Sequence, residues 1–355
     1  MQQAALEAEW EKLAARCGAE PFARPAFVMP TARWLAPPGV LEVVLAQRDR
    51  QLTAVLPLVR RGGRLVALRS MHTPRFDMVG AAADLWRVLR DQVAWHTLDL
   101  GAVPHDSPLL TELVAYARAD RFRVHTVLRS RAPVLALDGF EERLDGHFRR
   151  NLKARRRKLG DLELERVANY DETALADLFQ LEAAAWKGDA GTAIASSAAT
   201  VAFYRDLAAR FAPHGALSLT FLRHAGRRIA AHFALEDGDT YYLLKPGYDP
   251  EFAAYGPGHL HIYETAVDAR RRGLRTFDFL GQDLAWKRSW TSEAHPQVAL
   301  ELYRPSLRGR VAYALKHRVR PVLGALKRRL TASGAAPPGS CSASPAPSPR
   351  TATST

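Results

Sequence analysis

Three short segments joined by glycine-containing turns constrain the fold of this 355-residue chain more than any other feature. They are ALSLTFLR (216–223), RIAAHFALE (228–236) and TYYLLKPG (240–247), and the links between them are HAGR and DGD. Strand-like patterning with short links that contain glycine is typical of β-hairpins. The sequence therefore predicts three consecutive antiparallel strands in the second half of the chain.

A crossover unit follows these strands. A predicted helix over 258–272, closed by Gly273, connects the third strand to another over 274–281. A helix between two strands favours a parallel pair. The second half is thus expected to form a mixed, mostly antiparallel sheet with one βαβ unit at its centre. Its other predicted elements are a basic helix at 141–159 that opens this half or bridges the two, a strand at 161–168, helices at 171–187, about 197–212 and 283–290, and a strand at 297–304.

The first half of the chain repeats this order of elements less regularly. Its predicted strands are 41–46, 51–60, 64–69, 96–100, 122–129 and 133–137, and its helices are about 83–94 and 108–119. The repetition predicts an internal duplication, with a fold of class α/β (α+β) in which helices flank a mixed sheet in each half. The predicted regions are a degenerate half at 1–140, a second half at 141–305, basic amphipathic helices at 306–330 with a break at Pro321, and a disordered tail at 331–355.

The net charge of +13 is concentrated in two segments. Residues 308–330 contain eight Lys and Arg and no acidic residue, and residues 149–158 contain seven Lys and Arg. Such segments are commonly solvated helix faces, and contact with acidic partners or anionic lipid is the alternative. For 308–330, packing onto the domain is favoured over a peripheral membrane contact. DNA is not an expected partner.

Composition argues against several other classes of protein. The chain has no uncharged apolar run of 18 residues, so no transmembrane helix is expected. The first residues, MQQAALEAEWEKLAARCG, lack the layout of a signal peptide, which predicts a cytoplasmic protein, with a peripheral position at the inner face of the membrane left open. Cys17 and Cys341 form no CxxC motif, which argues against a disulfide framework, a zinc site and a cysteine nucleophile.

Local motifs narrow the predicted fold to a family. In sequence order they are HFRRNLKARRRKL (147–159), EAAAWKGDAGTAIAS (182–196), GYDPEFAAYGPGHL (247–260), the helix end at Gly273 and FDFLGQDLAWKRSW (277–290). Together they resemble the GNAT acyltransferase fold and, within it, the CelD/BcsL-type acetyltransferases with a BioF-like domain. This group is related to the FemABX peptidyltransferases, which also have tandem GNAT-like halves. The resemblance covers about 145–300 and extends more loosely over 20–140.

The helix start at 255–260 is the predicted donor site. In the GNAT fold, an acyl-CoA lies where the two middle strands splay apart, with its pyrophosphate at the start of the following helix. The first turn of a helix has unpaired N–H groups and a partial positive charge, both of which favour an anion. The usual Arg/Gln-x-x-Gly-x-Gly/Ala pattern is not intact here, and Gly-Pro is also a common helix start. The predicted donor-binding residues are Tyr255, Gly256, Gly258, His259 and Leu260.

Three side chains are predicted to take part in acyl transfer. The resemblance implies that Lys287 binds donor phosphate or stabilises the oxyanion or the leaving group, and a surface lysine beside packed tryptophans is the alternative. Asp278, at the end of the crossover strand, is expected to orient the acceptor or take its proton, or else to make a structural hydrogen bond. Tyr248 is a candidate acid for the departing thiolate, unless it faces the core.

The acceptor side is predicted in the loop after the first helix of the second half. Related proteins line the acceptor side with this region, which implies a binding role for Trp186, Lys187 and Asp189, although Trp186 also suits a core anchor. His259 and His261 do not form a metal site, because residues two apart on a helix point about 200° from each other.

These features predict an acyltransferase that uses acetyl-CoA or another acyl-CoA as co-substrate and needs no metal. The resemblance implies an N- or O-acetyltransferase acting on a sugar, a polysaccharide or an envelope precursor, with backbone N–H groups of 240–246 polarising the thioester. One alternative is a FemABX-like transferase that uses aminoacyl-tRNA, with the basic cluster at 149–158 contacting RNA. The other is a non-catalytic, membrane-associated assembly protein.

Overall fold

The computed structural model describes residues 3–184 and 193–320. Its first half starts with two helices, continues with three antiparallel strands and ends in one long strand. In chain order the elements are α1 (Gln3–Arg16), α2 (Pro25–Trp34), β1 (Val40–Arg48), β2 (Gln51–Arg61), β3 (Arg64–Ala67), β4 (Val79–Gly80), α3 (Ala82–Asp91), β5 (Thr97–Asp99), β6 (Val103–Pro104), α4 (Pro108–Ala119) and β7 (Arg123–Ala136).

The second half contains the three hairpin strands and the crossover helix that the sequence predicts. It ends in a helix that continues as a π-helical turn over Leu315–Val319. The elements are α5 (Phe140–Arg143), α6 (Gly146–Leu159), β8 (Leu162–Val167), α7 (Glu172–Ala184), α8 (Ala198–Phe211), β9 (Leu217–His224), β10 (Arg227–Asp237), β11 (Thr240–Tyr248), α9 (Pro257–Arg271), β12 (Thr276–Asp278), α10 (Ala285–Arg288), β13 (Ala294–Tyr303) and α11 (Leu307–Ala314).

One continuous sheet joins the two halves. Its strand order is β1-β2-β3-β5-β13-β7-β12-β11-β10-β9-β8, with β4 on β2 and β6 on β13. Each half contributes one parallel pair, β3 with β5 and β11 with β12, and the other pairs are antiparallel. The predicted fold class is therefore confirmed, with the same succession of three strands, helix, strand, helix and strand in both halves.

The two halves exchange their last strands. β13, which ends the second half, lies between β5 and β7, while β7, which ends the first half, lies between β13 and β12. β7 and β13 pair with each other from Arg123–Tyr303 to Pro133–Ala294. Since each half is completed by a strand of the other, the boundary near residue 140 does not separate two independent sheets.

Helices cover both faces of the second-half sheet. On one face, α2, α7 and α8 pack with β9, β10 and β11 around Phe203, Phe221 and Phe233, all fully buried. On the other, α6 and α9 pack around Tyr241 and Phe277. Because β10 is buried on both faces, its apolar residues form a nearly continuous run, as expected for a central strand.

A buried ion pair connects the halves next to the parallel strands. Arg75, in the loop before β4, pairs with Asp278 at the end of β12 and with Glu20, and the Arg75 and Asp278 side chains are 5% and 3% exposed. The Oδ1 atom of Asp278 also accepts a hydrogen bond from the N–H of Leu280 at 2.8 Å. This carboxylate is therefore part of the junction between the halves.

Three of the predicted elements differ in extent for reasons that their contacts and backbone geometry explain. The two strands predicted near 122–129 and 133–137 are one strand, because β7 continues past Pro133 by changing partner from β13 to β12. The strand predicted at 274–281 is only Thr276–Asp278, since Leu280 has a φ of 52° and turns the chain. The helix predicted over 141–159 is divided, because the side chain of Asp145 caps α6 by accepting hydrogen bonds from His147 and Phe148.

Two other predictions lie outside the described residues. They are the helix break at Pro321 and the disordered tail at 331–355. Within residues 3–184 and 193–320, no helix is long and apolar enough to cross a membrane.

Candidate active site

A cleft opens where the two middle strands of the second half separate. β11 and β12 pair only from Thr240–Thr276 to Tyr242–Asp278, and β11 continues to Tyr248 without β12 beside it. The resulting cleft has a volume of about 600 Å³ and is lined by β11, the start of α9, the segment 279–287 and a loop of the first half. Such separation exposes backbone groups on one edge of β11 that would otherwise be used in sheet pairing.

A bulge in β11 lies at the closed end of this cleft. Phe233 of β10 pairs with Lys245, and Ala234 pairs with Leu243, so Leu244 is the extra residue. A bulge bends its strand and changes the direction of the neighbouring side chains. Leu243, Leu244 and Lys245 all line the cleft.

The start of α9 forms the other end of the cleft. Gly256 has a φ of 62° and caps the helix, Pro257 is the first helical residue, and Gly258 and His259 complete the first turn. Pro257 has no N–H group, and the N–H groups of the first turn lack the acceptors of a complete helix. Of the five predicted donor-binding residues, Gly256, Gly258 and His259 line the cleft.

The other two predicted donor-binding residues contribute to packing. Leu260 is 1% exposed and belongs to the core beneath α9, and Tyr255 packs against the same core. Neither is among the residues that line the cleft. The helical period explains this, because Leu260 follows His259 by about 100° and so points inward.

Arg155, from α6, lies over the helix start, and sequence analysis did not single it out from its basic cluster. A Cβ atom built on Gly256 would be 2.5 Å from Nη1 of Arg155, so a side chain at position 256 would displace the guanidinium from this position. Arg156, the next residue, pairs with Glu264 at 2.8 Å, whereas Arg155 makes no ion pair within the described parts of the chain. The predicted anion site thus has the guanidinium of Arg155 beside the exposed backbone of the helix start.

His259 is held in one orientation by aromatic neighbours. Its Nδ1 accepts a hydrogen bond from Nε1 of Trp290 at 3.1 Å, and its ring packs edge-on against Phe148. Burial and, to a smaller extent, the charge of Arg155 together lower the pKa of His259 to about 4. The ring is therefore neutral at pH 7, with its proton on Nε2 because Nδ1 is an acceptor.

Lys287 lies inside the cleft wall. Its side chain is buried, and Nζ donates a hydrogen bond to the carbonyl oxygen of Leu280 at 2.5 Å. Nζ also lies 5.4 Å from the ring centre of Trp286. The Lys287 side chain is thus held in one position beside the separating strands.

The two other predicted catalytic residues occupy different places. Tyr248 lines the cleft next to the helix start, with its Cδ1 3.5 Å from the Cβ position of Gly258. Asp278 is buried with Arg75 and does not line the cleft. The structure therefore brings Lys287 and Tyr248 to the cleft and places Asp278 behind it.

A second group of polar side chains lies near the bulge, and sequence analysis identified none of its members as site residues. Nδ1 of His72 is 3.3 Å from the hydroxyl of Tyr204, and Nζ of Lys245 is 3.5 Å from Oε1 of Glu182. Glu182 is fully buried, and α7 reaches β11 because Gly247 has no side chain; a Cβ there would be 2.6 Å from the backbone of Glu182.

Burial disfavours the charged forms of His72 and Lys245 in this group. Burial lowers the pKa of His72 to about 4, with a further contribution from the charge of Lys245. Burial also lowers the pKa of Lys245, an effect that Glu182 opposes. His72 is therefore a neutral imidazole at pH 7 and can accept a hydrogen bond at one ring nitrogen and donate one from the other. A signal existed in the sequence, since His72 follows the third strand of the first half, where the second half has its donor loop.

The predicted acceptor residues and the histidine pair remain to be located. Trp186, Lys187 and Asp189 lie outside the described residues. His261 points away from His259 into the core, where it stacks on His232 at 3.7 Å. Among the described residues, no group of three or more His, Cys, Asp or Glu could hold a metal ion.

Comparison with known proteins gives one family match. Residues 146–288 match the family model described as an acetyltransferase (GNAT) domain. This range includes α6 with Arg155, the helix start of α9 and Lys287. No curated protein matches the chain in sequence.

Solved structures show the same fold over both halves. FemX is 11% identical, with a TM-score of 0.60 over 87% of this chain and 98% of that one. L-PGS from Bacillus licheniformis is 14% identical, with a TM-score of 0.55 over 91% of this chain and 96% of that one. At sequence identities this low, the similarity shows a shared fold only.

Proposed function

We propose that the chain is an acyl-CoA-dependent acyltransferase that modifies an amine or hydroxyl of a sugar, polysaccharide or envelope precursor. One observation carries the proposal: the glycine-bordered start of α9, with Arg155 over it, lies at the open end of the cleft between β11 and β12. The family match over 146–288 supports acyl transfer as the reaction.

The chain's own groups fit a pyrophosphate at this helix start. The N–H groups of the first turn carry the positive end of the helix dipole, and Arg155 adds a full charge. Gly258 has no side chain, so an anion can approach its N–H directly. His259, as a neutral Nε2–H donor, supplies one more hydrogen bond without adding charge.

The thioester belongs at the other end of the cleft. Leu244 is four residues from Tyr248, or about 13 Å along a strand, so the bulge and the helix start are separated by the length of an extended arm. Backbone N–H groups on the free edge of β11 can donate to the thioester carbonyl as negative charge develops on its oxygen. Lys287 adds a positive charge to the wall of the same cleft.

This separation changes the role proposed for Tyr248. Its Cδ1 atom is 3.5 Å from the Cβ position of Gly258, which supports a position beside the proposed phosphate site, too far from the bulge to protonate a departing thiolate. We therefore assign Tyr248 to donor binding. Asp278 is given a positioning role, because it fixes the turn at Leu280 whose carbonyl oxygen holds Lys287.

The polar group near the bulge suits an acceptor. In a direct transfer, the acceptor nitrogen or oxygen bonds to the acyl carbon, the carbon–sulfur bond breaks, and the acceptor proton finally reaches the thiolate. His72, neutral at pH 7, can take the acceptor proton in this step. Tyr204, Lys245 and Glu182 offer further hydrogen-bonding atoms, which supports an acceptor rich in hydroxyl or amine groups.

A thermal-shift experiment tests the donor assignment. Saturation with acetyl-CoA at 100 times its Kd should raise the Tm of the wild type by about 4 °C. Acetyl-pantetheine, which lacks the pyrophosphate, should raise it far less. Gly258→Glu should remove the shift, because its carboxylate would occupy the anion position.

The matched control is Gly146→Glu, which introduces the same charge in the first turn of α6, outside the cleft. This variant should keep the acetyl-CoA shift. If no CoA thioester stabilises the wild type, or if both glutamate variants respond alike, the donor assignment is wrong. A rise in Tm with aminoacyl-tRNA but not with any CoA thioester would instead favour the tRNA-dependent alternative. That ligand is included because α6 has exposed basic side chains.

A further inference from the structure

The C-terminal helix of the described chain exposes its apolar side. Leu307, Val311, Leu315 and Val319 are 79%, 48%, 51% and 41% exposed. They are spaced by four residues over α11 and its π-helical turn, so they form one stripe along the helix. Helices at a protein surface normally turn this stripe towards the core, and the sequence prediction favoured such packing.

Contacts on the opposite side fix the rotation of this helix. Lys316 donates a hydrogen bond to Glu301 at 2.5 Å, and Nε2 of His317 lies 3.0 Å from the same carboxylate. The hydroxyl of Tyr303 is 2.8 Å from His317, and the ring of Tyr303 packs on Tyr313. Glu301 is only 4% exposed, so these polar residues face the sheet and hold the apolar stripe outward.

Basic side chains border the stripe. Arg308, Arg310, Arg318 and Arg320 are all exposed, and the sequence from 305 to 330 contains no acidic residue. A second copy of the chain would bring the same positive charge against itself. Residues 331–355 contain no large apolar side chain that could cover the stripe. An apolar stripe with a basic border is complementary to a surface that is apolar inside and negatively charged outside.

We propose that this helix docks the protein on an anionic lipid surface, with the stripe in the interfacial region and the arginines at lipid phosphates. The proposal is independent of the acyl-transfer assignment. Because the helix is anchored on β13, docking would hold the sheet at a fixed orientation to the lipid.

Co-sedimentation of the full chain with vesicles tests the proposal. The wild type should bind to vesicles made of equal parts phosphatidylglycerol and phosphatidylcholine. It should bind much less to vesicles of phosphatidylcholine alone. Binding should weaken as salt is raised. The double variant Leu307→Ser/Leu315→Ser should lower the partition coefficient at least tenfold, and Arg310→Glu/Arg318→Glu should do the same.

Two control variants make the same kinds of substitution at other places on the surface. Val40→Ser/Leu41→Ser removes two exposed apolar side chains from β1, and Arg157→Glu/Lys158→Glu reverses two exposed charges on α6. Both controls should bind like the wild type. Substitution is preferable to truncation, because loss of Lys316 and His317 would leave Glu301 buried without its partners.

Three outcomes would overturn the proposal. The first is that the protein binds vesicles of phosphatidylcholine alone as well as anionic vesicles, or binds neither. The second is that either control variant loses as much binding as the test variants. The third is that the wild type dimerises and the Leu307→Ser/Leu315→Ser variant does not. The last result would assign the stripe to an interface between copies.

Discussion

At the scale of single residues, Asp278 shows how a carboxylate predicted to act in catalysis can also hold two parts of the fold together. It ends a strand at the edge of the cleft, as a catalytic residue would, but its oxygens are used by Arg75 and by the N–H of Leu280. Removing one partner from a buried ion pair leaves the other charge uncompensated.

Asp278→Asn should therefore lower the free energy of unfolding by about 3 kcal/mol, as measured by urea denaturation followed by tryptophan fluorescence. Donor binding should persist below the unfolding transition. Asp283→Asn, which removes a partly exposed partner of Arg288, should cost less than about 1 kcal/mol. A stable Asp278→Asn protein that binds donor but does not turn over would instead support a catalytic role.

His261 predicts a pH dependence of stability. Burial lowers its pKa to about 3, while an unfolded histidine titrates near 6.5. Between these values the unfolded chain binds a proton that the folded chain does not, so stability falls as the pH falls through this window. His261→Gln should reduce the loss of unfolding free energy between pH 7 and pH 5 by about 2 kcal/mol.

The measurement is urea denaturation of both proteins at the two pH values. Comparing them cancels contributions from other titrating groups, including Asp77, whose pKa burial raises to about 6. The amide of glutamine can retain a hydrogen bond to Thr220, which Nε2 of His261 makes at 2.9 Å. Equal slopes for the two proteins would contradict the assignment.

At the scale of elements, local patterns sufficed for the hairpin strands and the crossover helix. β9, β10, β11 and α9 differ from their predicted bounds by one residue at each end at most, because alternation, turn residues and helix ends are local properties. The length of β12 was not predictable in this way. Its apolar residues continue to Leu280, yet the strand stops at Asp278, where a residue of the first half binds it.

In the donor site, too, some residues could be proposed from local sequence and others could not. Gly256 and Gly258 could be proposed from the sequence because helix starts have a local signature. Arg155 could not, since it is remote in sequence and reaches the cleft only after α6 has packed. For His72, the sequence offers only its place after the third strand of the first half. Basic clusters are common, and nothing local distinguishes Arg155 from Arg156.

At the scale of the whole molecule, the strand exchange makes each half depend on the other. Without the second half, β5 and β7 lose β13, and without the first half, β12 loses β7. Exposed edges of central strands are templates for aggregation. The match of one family model to 146–288 alone thus does not define a unit that folds alone.

Fragments 1–140 and 141–355, expressed separately, should show no cooperative thermal unfolding by circular dichroism. The full chain should unfold in one transition, and co-expression of the two fragments should restore it. Cooperative unfolding of 141–355 alone would show that the exchanged strand is dispensable.

The sequence by itself determined the order of elements, the duplication and the helix start that is proposed to bind pyrophosphate. These follow from periodicity, turn chemistry and charge over short stretches of chain. Only the tertiary structure decided which strands are exchanged, which of several arginines reaches the cleft, and which way the C-terminal stripe faces. Those outcomes depend on contacts between residues far apart in sequence, such as Lys287 held by a turn that Asp278 fixes, or a helix whose rotation is set by one buried glutamate.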